Sequence, residues 1–120
     1  MKYISHYTEI ETYTTKDGSG IKELMHPALN HNSNQSLAEA IIPAHTETLL
    51  HMHIKSEEIY HITQGQGEMT LGEKKFPVQT GDTICIAPST AHKIKNTEDT
   101  DLKIFCCCAP AYSHEDTQLV

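Results

Sequence analysis

The sequence predicts an all-β protein whose short strands close into a jelly roll. Short apolar runs alternate with clusters of turn-forming residues, which is the pattern of a sandwich or barrel. No window carries the sustained period of an amphipathic helix. About ten such runs are present, and a double-sheet jelly roll closes that many short strands while leaving a cavity at its mouth.

The predicted strands cover most of the chain between residues 10 and 108. They are 10–14, 21–25, 37–42, 46–54, 57–63, 67–71, 75–78, 83–87, 92–96 and 102–108. Residues 1–8 are expected to form either an edge strand or a disordered arm, and residues 110–120 a packed coil. We expect one domain over residues 1–120, with a barrel core at about 35–109.

The composition excludes several classes of partner. The net charge is −7, so no basic footprint for nucleic acid or anionic lipid is expected. No apolar run is long enough for a membrane span and the start lacks a signal peptide, so a cytoplasmic location is predicted. All nine basic side chains are lysines, so an anionic substrate would have to bind through a metal, lysine or backbone amides.

The four cysteines do not predict a disulfide framework or a zinc knuckle. Cys85 stands alone, whereas Cys106, Cys107 and Cys108 are consecutive. We expect the three consecutive cysteines to be small buried apolar residues. Cys107 is kept as a minor candidate for the site.

Histidines and a glutamate predict a metal site. His51 and His53 are two residues apart, so both side chains point to one face of a strand. The next strand begins with Glu57 and Glu58, and the sequence allows either as a ligand, although the spacing to the following turn glycine favours Glu58. His92 opens a later strand and is the fourth candidate. Such a mixed donor set suits Mn, Fe, Co, Ni, Cu or Zn.

The remaining histidines are expected to have structural roles. The sequence places His61 on the face opposite Glu58, outside the barrel or at a subunit contact. His114 is expected to be a surface residue of the tail. The others are predicted to lie at the surface or in turns, and they are His6, His26, His31 and His45.

The first histidine segment resembles the first motif of the cupin superfamily. That motif runs Gly, five residues, His-x-His, three or four residues, Glu, six residues and Gly. His51, His53, Glu58 and Gly65 occupy these places, and His45 stands where the motif has its opening glycine. Because a positive φ is costly for a non-glycine residue, the turn at His45 is expected to be tolerated rather than ideal.

The second histidine segment resembles the second cupin motif. That motif runs Gly, a short strand, a Pro-x-Gly-like turn, His, three residues and Asn, and it is matched by Gly81, Pro88, His92 and Asn96, with Ser89 in place of the turn glycine. The two motifs together span residues 45–96. Segment 110–116 also resembles the Pro-x-Tyr-Ser-His-Glu-Asp tail of small bacterial single-domain cupins.

The resemblance implies a double-stranded β-helix (jelly-roll) cupin barrel that holds one divalent transition metal ion. It implies His51, His53, Glu58 and His92 as the ligands, with open positions for a small-molecule substrate, and Fe(II) or Mn(II) is favoured. A dioxygenase-like oxidation is the first expectation, with Tyr60 as acid or hydrogen-bond donor. A metal-dependent isomerase, cyclase or lyase, or a non-catalytic binding protein, are the alternatives.

Two further expectations concern the faces of the strands. The cavity is predicted to be apolar, lined by Tyr60, Ile62, Ile86, Ile94, Phe105 and Cys107. The opposite face of segment 46–54 is apolar at every second residue, at Leu50, Met52 and Ile54, and it needs a cover. A homodimer is therefore predicted. Asn96 is expected to form hydrogen bonds either to the metal ligands or at the end of its strand.

Overall fold

The computed structural model describes residues 2–120, and these residues form two packed antiparallel sheets. The strands are β1 Tyr13–Thr14, β2 Gly20–Met25, β3 Ser36–Ile42, β4 His51–His53, β5 Glu57–Gln64, β6 Gln66–Leu71, β7 Lys74–Gln79, β8 Thr83–Ile86, β9 His92–Asn96, β10 Leu102–Ala109 and β11 Thr117–Leu119. The larger sheet has the order β1-β2-β3-β10-β5-β8, and the smaller has the order β11-β4-β9-β6-β7. This confirms the all-β jelly roll.

The core lies between the two sheets and follows the period of two in the sequence. In β5, Tyr60 and Ile62 are buried whereas Ile59 and His61 are exposed. Since successive strand residues point to opposite faces, this alternation is what a sheet covered on one side requires. The buried apolar cluster continues across both sheets and is made of Ala40, Ile42, Tyr60, Ile62, Met69, Val78, Ile84, Ile86, Ile94, Leu102, Ile104 and Cys106.

The face of β10 that points into the core is not the predicted one. Phe105 is exposed and Cys107 is half-buried, so neither residue lines the core. Instead Cys106 lies opposite Tyr60 and Cys108 opposite Glu58 on β5, and both cysteines are buried. The residues of β10 from 104 to 108 are apolar at every position, so the sequence does not show which of its two faces points inward. The pairing with β5 determines which face does.

The boundaries of three segments also differ. Segment 46–54 is a strand only at His51–His53, where His51 pairs with His92 of β9, while Glu47 forms an isolated bridge to Lys95. The tail is not all coil, since β11 pairs with the free edge of β4. Residues 7–9 form a 3-10 helix rather than an edge strand or disordered arm, and residue 1 lies outside the described residues. No helix in residues 2–120 is long and apolar enough to cross a membrane.

Both turns that lack the motif glycine adopt the glycine conformation. His45 has φ 57° and Ser89 has φ 60°, in the left-handed region that a Cβ disfavours. The Ser89 amide donates to the carbonyl of His53 at 2.6 Å, which ties this turn to β4. The backbone geometry of the two motifs is therefore retained without the glycines.

Candidate metal centre

Three histidines meet on the inner face of the smaller sheet. His51 and His53 share a face of β4, and His92 opens the neighbouring β9 directly opposite His51. One imidazole nitrogen from each lies within 4.8 Å of the other two, and all three side chains are buried. The structure thus brings together the histidines that the sequence spacing selected, in an arrangement able to hold one metal ion.

Hydrogen bonds orient the three rings in the same way. The Nδ1–H groups of His51 and His92 donate to the carbonyls of Leu49 and Thr90, both at 2.8 Å. His53 Nδ1 lies 3.0 Å from the hydroxyl of Thr117. The Thr117 hydroxyl donates its proton to the carbonyl of Ser113, so its oxygen accepts a hydrogen bond from His53 Nδ1. Each Nε2 is therefore left with its lone pair pointing inward, the usual arrangement of a metal-ligating imidazole.

Glu58 lies beside two of these nitrogens. Its Oε1 is 3.2 Å from His53 Nε2 and 3.4 Å from His92 Nε2, and its Oε2 accepts the thiol proton of Cys108 at 3.3 Å. Burial alone would raise the pKa of Glu58, but when His53 and His92 carry Nε2 protons in the metal-free protein, their hydrogen bonds and charge outweigh burial and lower the pKa to about 2. The carboxylate therefore stays ionised and attracts a cation into the histidine cluster.

The cluster fits a metal ion better than an additional proton. His92 is fully buried, and its Nε2 has no hydrogen-bond partner among the described residues, because the approach to Glu58 lacks hydrogen-bond geometry. Burial and the neighbouring rings of His92 and His53 lower the pKa of His51, although Asp17 opposes this. Three imidazole nitrogens facing a buried carboxylate are the donor set of transition-metal sites.

Asp17 was not expected at the site. It lies in the turn between β1 and β2, is buried, and has Oδ2 at 3.5 Å from His51 Nε2. The Asp-Gly-Ser-Gly sequence around it is typical of an ordinary turn, so only its approach to His51 in the fold identifies it.

A small cavity, open at one end, adjoins the cluster. Tyr60 lines it, with its ring centroid 5.9 Å from that of His92. Burial, reinforced by the charge of Glu58, raises the pKa of Tyr60 well above its usual value, so its hydroxyl remains a proton donor. The other lining residues are Tyr13, Thr15, Asp17, Ser19, Ile21, Glu23, Ala38, Ala40, His51, His53, Glu58, Cys106, Cys108, Tyr112 and Thr117.

The lining contains carboxylates but neither lysine nor arginine. Besides Asp17 and Glu58, Glu23 faces the cavity and accepts a hydrogen bond from the hydroxyl of Tyr13 at 3.2 Å. Its Oε1 is buried without a partner among residues 2–120, and burial raises its pKa. The expected apolar cavity is therefore more polar and more acidic than the sequence indicated.

The other predicted residues lie away from the cluster. Glu57 and His61 are exposed on the outer face of β5, as expected, and His61 bonds to Thr83. Asn96 is fully buried and donates to the carbonyls of Ile42 and Thr100, so it secures the end of its strand. His114 is exposed, as expected, with its Nδ1 3.2 Å from the hydroxyl of Tyr112.

Two relatives in sequence match most of the chain. An uncharacterized protein of Methanocaldococcus jannaschii is 54% identical over 100% of this chain and 97% of its own. An oxalate-binding protein of Thermotoga maritima is 31% identical over 75% of this chain and 77% of its own.

A nucleoside dehydratase of Streptomyces has a similar fold, with a TM-score of 0.81 over 100% of this chain and 92% of that protein, at 18% identity. At this identity the likeness supports the fold only. The sequence model of the cupin domain family matches residues 38–108. This range runs from β3 to β10 and contains the three clustered histidines and Glu58. The chain belongs to the cupin domain family.

Proposed function

We propose that this protein is a metal-dependent enzyme that acts on a small uncharged organic molecule, with dioxygen-dependent oxidation as its reaction. His51, His53, Glu58 and His92 hold the ion. The observation that carries the proposal is the convergence of three imidazole Nε2 lone pairs and one ionised carboxylate beside a cavity. Bound Fe(II) or Mn(II) would supply Lewis acidity there and make the substrate bound to it reactive towards dioxygen.

The charge of the cavity supports an uncharged substrate. Asp17, Glu23 and Glu58 face it without a lysine or arginine to balance them, so an anion would be attracted only by the metal. The lining hydroxyls of Tyr13, Thr15, Ser19 and Tyr112 already bond to neighbouring side chains. The hydroxyl of Tyr60, which also lines the cavity, is therefore the donor offered to a substrate. A phenolic or enolisable compound suits this lining better than a phosphate ester.

Tyr60 positions the substrate in this proposal. Its raised pKa keeps the phenol protonated, so it donates to an oxygen of the substrate rather than binding the metal as a phenolate. The ring packs edge-on against His92, which fixes its direction. Tyr60→Phe is therefore expected to raise KM and lower kcat while metal content stays unchanged.

The test combines metal content with oxygen uptake. The purified protein is analysed for bound metals and then assayed for oxygen consumption with catechols, diketones and other enolisable compounds. We expect consumption with at least one compound, and its loss in His92→Ala. Turnover of the same compound under strict anaerobiosis would overturn the oxygenase assignment.

A second candidate is a metal-dependent isomerase, cyclase or lyase. The protonated Tyr60 next to the predicted ligands favours it, since a proton donor and a Lewis acid are what such reactions need. Anaerobic turnover that is abolished in both Tyr60→Phe and His92→Ala would establish this candidate over the first.

A third candidate is a non-catalytic binding protein. The relative from Thermotoga maritima carries the name oxalate-binding protein, and it aligns with most of this chain. Tight binding of a compound that is recovered unchanged, with and without oxygen, would support this role.

We also propose a homodimer. On the outer face of the larger sheet, Leu37, Ile59 and Phe105 are exposed on the adjacent strands β3, β5 and β10. In the segment that first suggested a dimer, Leu50 and Met52 are half-buried and Ile54 remains exposed. Light scattering at micromolar concentration is expected to give the mass of two chains, and a monomeric mass would contradict the proposal.

A further inference from the structure

Asp17 has two oxygens with different surroundings. Oδ1 accepts from the amide of Ser19 at 3.0 Å and from its hydroxyl at 2.6 Å. Oδ2 instead faces His51 Nε2 at 3.5 Å, and the side chain is only 9% exposed. A carboxylate this deeply buried needs a compensating positive charge. Because Ser19 bonds only to Oδ1, that charge is expected next to Oδ2.

The facing atom on His51 does not provide that charge. His51 donates from Nδ1 to the Leu49 carbonyl, so its Nε2 presents a lone pair to Oδ2. Two lone pairs at this distance repel one another unless a cation lies between them. The unpartnered Nε2 of the fully buried His92 independently marks the same place as a site for a cation.

The distances fit a shared ion. Two ligand atoms that each lie about 2.1 Å from one ion, at an angle of about 90–115°, are separated by about 3.0–3.5 Å. The Asp17–His51 distance of 3.5 Å is in this range, as are the Glu58 distances of 3.2 and 3.4 Å. Asp17 thus stands beside His51 as Glu58 stands beside His53 and His92.

The turn that carries Asp17 is fastened to the site. The amide of Leu49, two residues before His51, donates to the Asp17 carbonyl at 2.8 Å. Lys16 Nζ donates to the carbonyls of His114 and Thr117 in the tail, at 2.8 and 2.9 Å. Asp17 is therefore held beside His51 by contacts on both sides of its turn.

We propose that Asp17 is a fifth ligand, so that the ion is held by three histidines and two carboxylates. This rests on the proposed function, because it assumes that the other four residues bind the metal. Two carboxylates neutralise a divalent ion, and five protein ligands leave one open position on a six-coordinate ion. The site then selects an uncharged substrate that binds through a single oxygen, over a dianion that chelates through two.

The test measures metal binding directly. Mn²⁺ affinity is determined by chelator competition, and the visible spectrum of the Co²⁺-loaded protein reports coordination. Asp17→Ala and Asp17→Asn are expected to weaken Mn²⁺ binding at least about tenfold and to alter the Co²⁺ spectrum. Asp99→Asn removes the same charge from a side chain that is 94% exposed and should change neither. Thermal unfolding in the presence of a chelator verifies that each variant folds.

The outcomes separate the two proposals. If His92→Ala and Glu58→Ala lose the metal while both Asp17 variants keep the wild-type affinity and spectrum, the fifth ligand is wrong and the four-ligand site stands. If the wild-type protein binds neither Mn²⁺ nor Co²⁺, both proposals fail. The metal-loaded wild-type protein should bind oxalate at least about tenfold more weakly than Asp17→Ala, since removal of Asp17 opens a position and adds a positive charge. Equal oxalate affinities would overturn the substrate selection.

Discussion

Two walls enclose the histidine cluster, and they are built differently. The ligand wall consists of β4, β5 and β9 and supplies His51, His53, Glu58 and His92 from regular strands. The terminal wall consists of the turn 15–19 and the tail 112–117, and it supplies Asp17, Tyr112 and Thr117 from segments outside the two motifs. The ligand wall fixes which atoms face the cavity, whereas the terminal wall orients His53 through Thr117 and adds the carboxylate of Asp17 beside His51.

The largest effect is expected from the ligand wall. In His92→Ala the site loses one of three converging nitrogens, and its fully buried position leaves no neighbour to replace it. Affinity for Mn²⁺ should fall by more than the roughly 10–100-fold typical of losing a residue that only orients a ligand. Chelator competition measures this, with the exposed His61→Ala as the matched control.

The next effect concerns the carboxylate in the metal-free protein. The pKa of Glu58 is about 2 in the fold against 4.5 for the free side chain, so between these values the unfolded chain binds more protons. The stability that Glu58 contributes is therefore complete above pH 4.5 and is lost as the pH falls toward 2. At 1.36 kcal/mol per pKa unit, the loss is on the order of 3 kcal/mol.

Urea denaturation across this pH range tests the prediction. The metal-free wild-type protein should be more stable than Glu58→Gln at about pH 5, where the carboxylate is ionised in both the folded and the unfolded state. That difference should shrink as the pH approaches 2. A difference that does not depend on pH would show that the charge of Glu58 is not what stabilises the fold.

The terminal wall is tested at Thr117. Thr117→Val keeps the shape but removes the oxygen that accepts from His53 Nδ1, so the ring can turn or change tautomer. We expect Mn²⁺ affinity to fall about 10–100-fold. Thr117→Ser retains the hydroxyl and should bind like the wild type. If the valine variant binds normally, the tail does not orient His53.

A smaller effect is expected at the thiol behind Glu58. Cys108→Ala removes the S–H donor to Oε2, so the carboxylate loses a restraint but keeps its contacts with His53 and His92. Mn²⁺ affinity should fall only a few-fold, since a thiol is a weak donor. Cys107→Ala, on the other face of the same strand, should leave it unchanged.

The contrast between the walls also explains what the sequence could predict. The spacing of His51, His53, Glu58 and His92 defines their shared face, because strands alternate with a period of two and the two motifs fix the turns between them. Asp17 approaches His51 only because a turn that is distant in sequence packs against β4, and no local sequence pattern predicts this contact. The prediction of coil for the whole tail was wrong for the same reason, since β11 forms by pairing with β4.

The error on β10 has a different physical origin. The run Ile104–Cys108 is apolar at each position, so either face could have pointed inward and the choice of Phe105 and Cys107 had no support from alternation. The register with β5 decides it, and that register also places Cys108 beside Glu58.

The smallest effect should come from the turn that precedes His92. Ser89 holds a φ of 60°, which costs an L residue roughly 1–2 kcal/mol, whereas glycine adopts it freely. Part of that gain is offset because glycine also increases the entropy of the unfolded chain, so Ser89→Gly should stabilise the fold by about 0.5 kcal/mol. Ser89→Ala keeps the Cβ and loses the weak hydroxyl contact with Ile54 at 3.3 Å, so it should give no gain. Thermal unfolding of the three proteins measures the difference, and a glycine variant less stable than the alanine variant would show that this turn carries no strain.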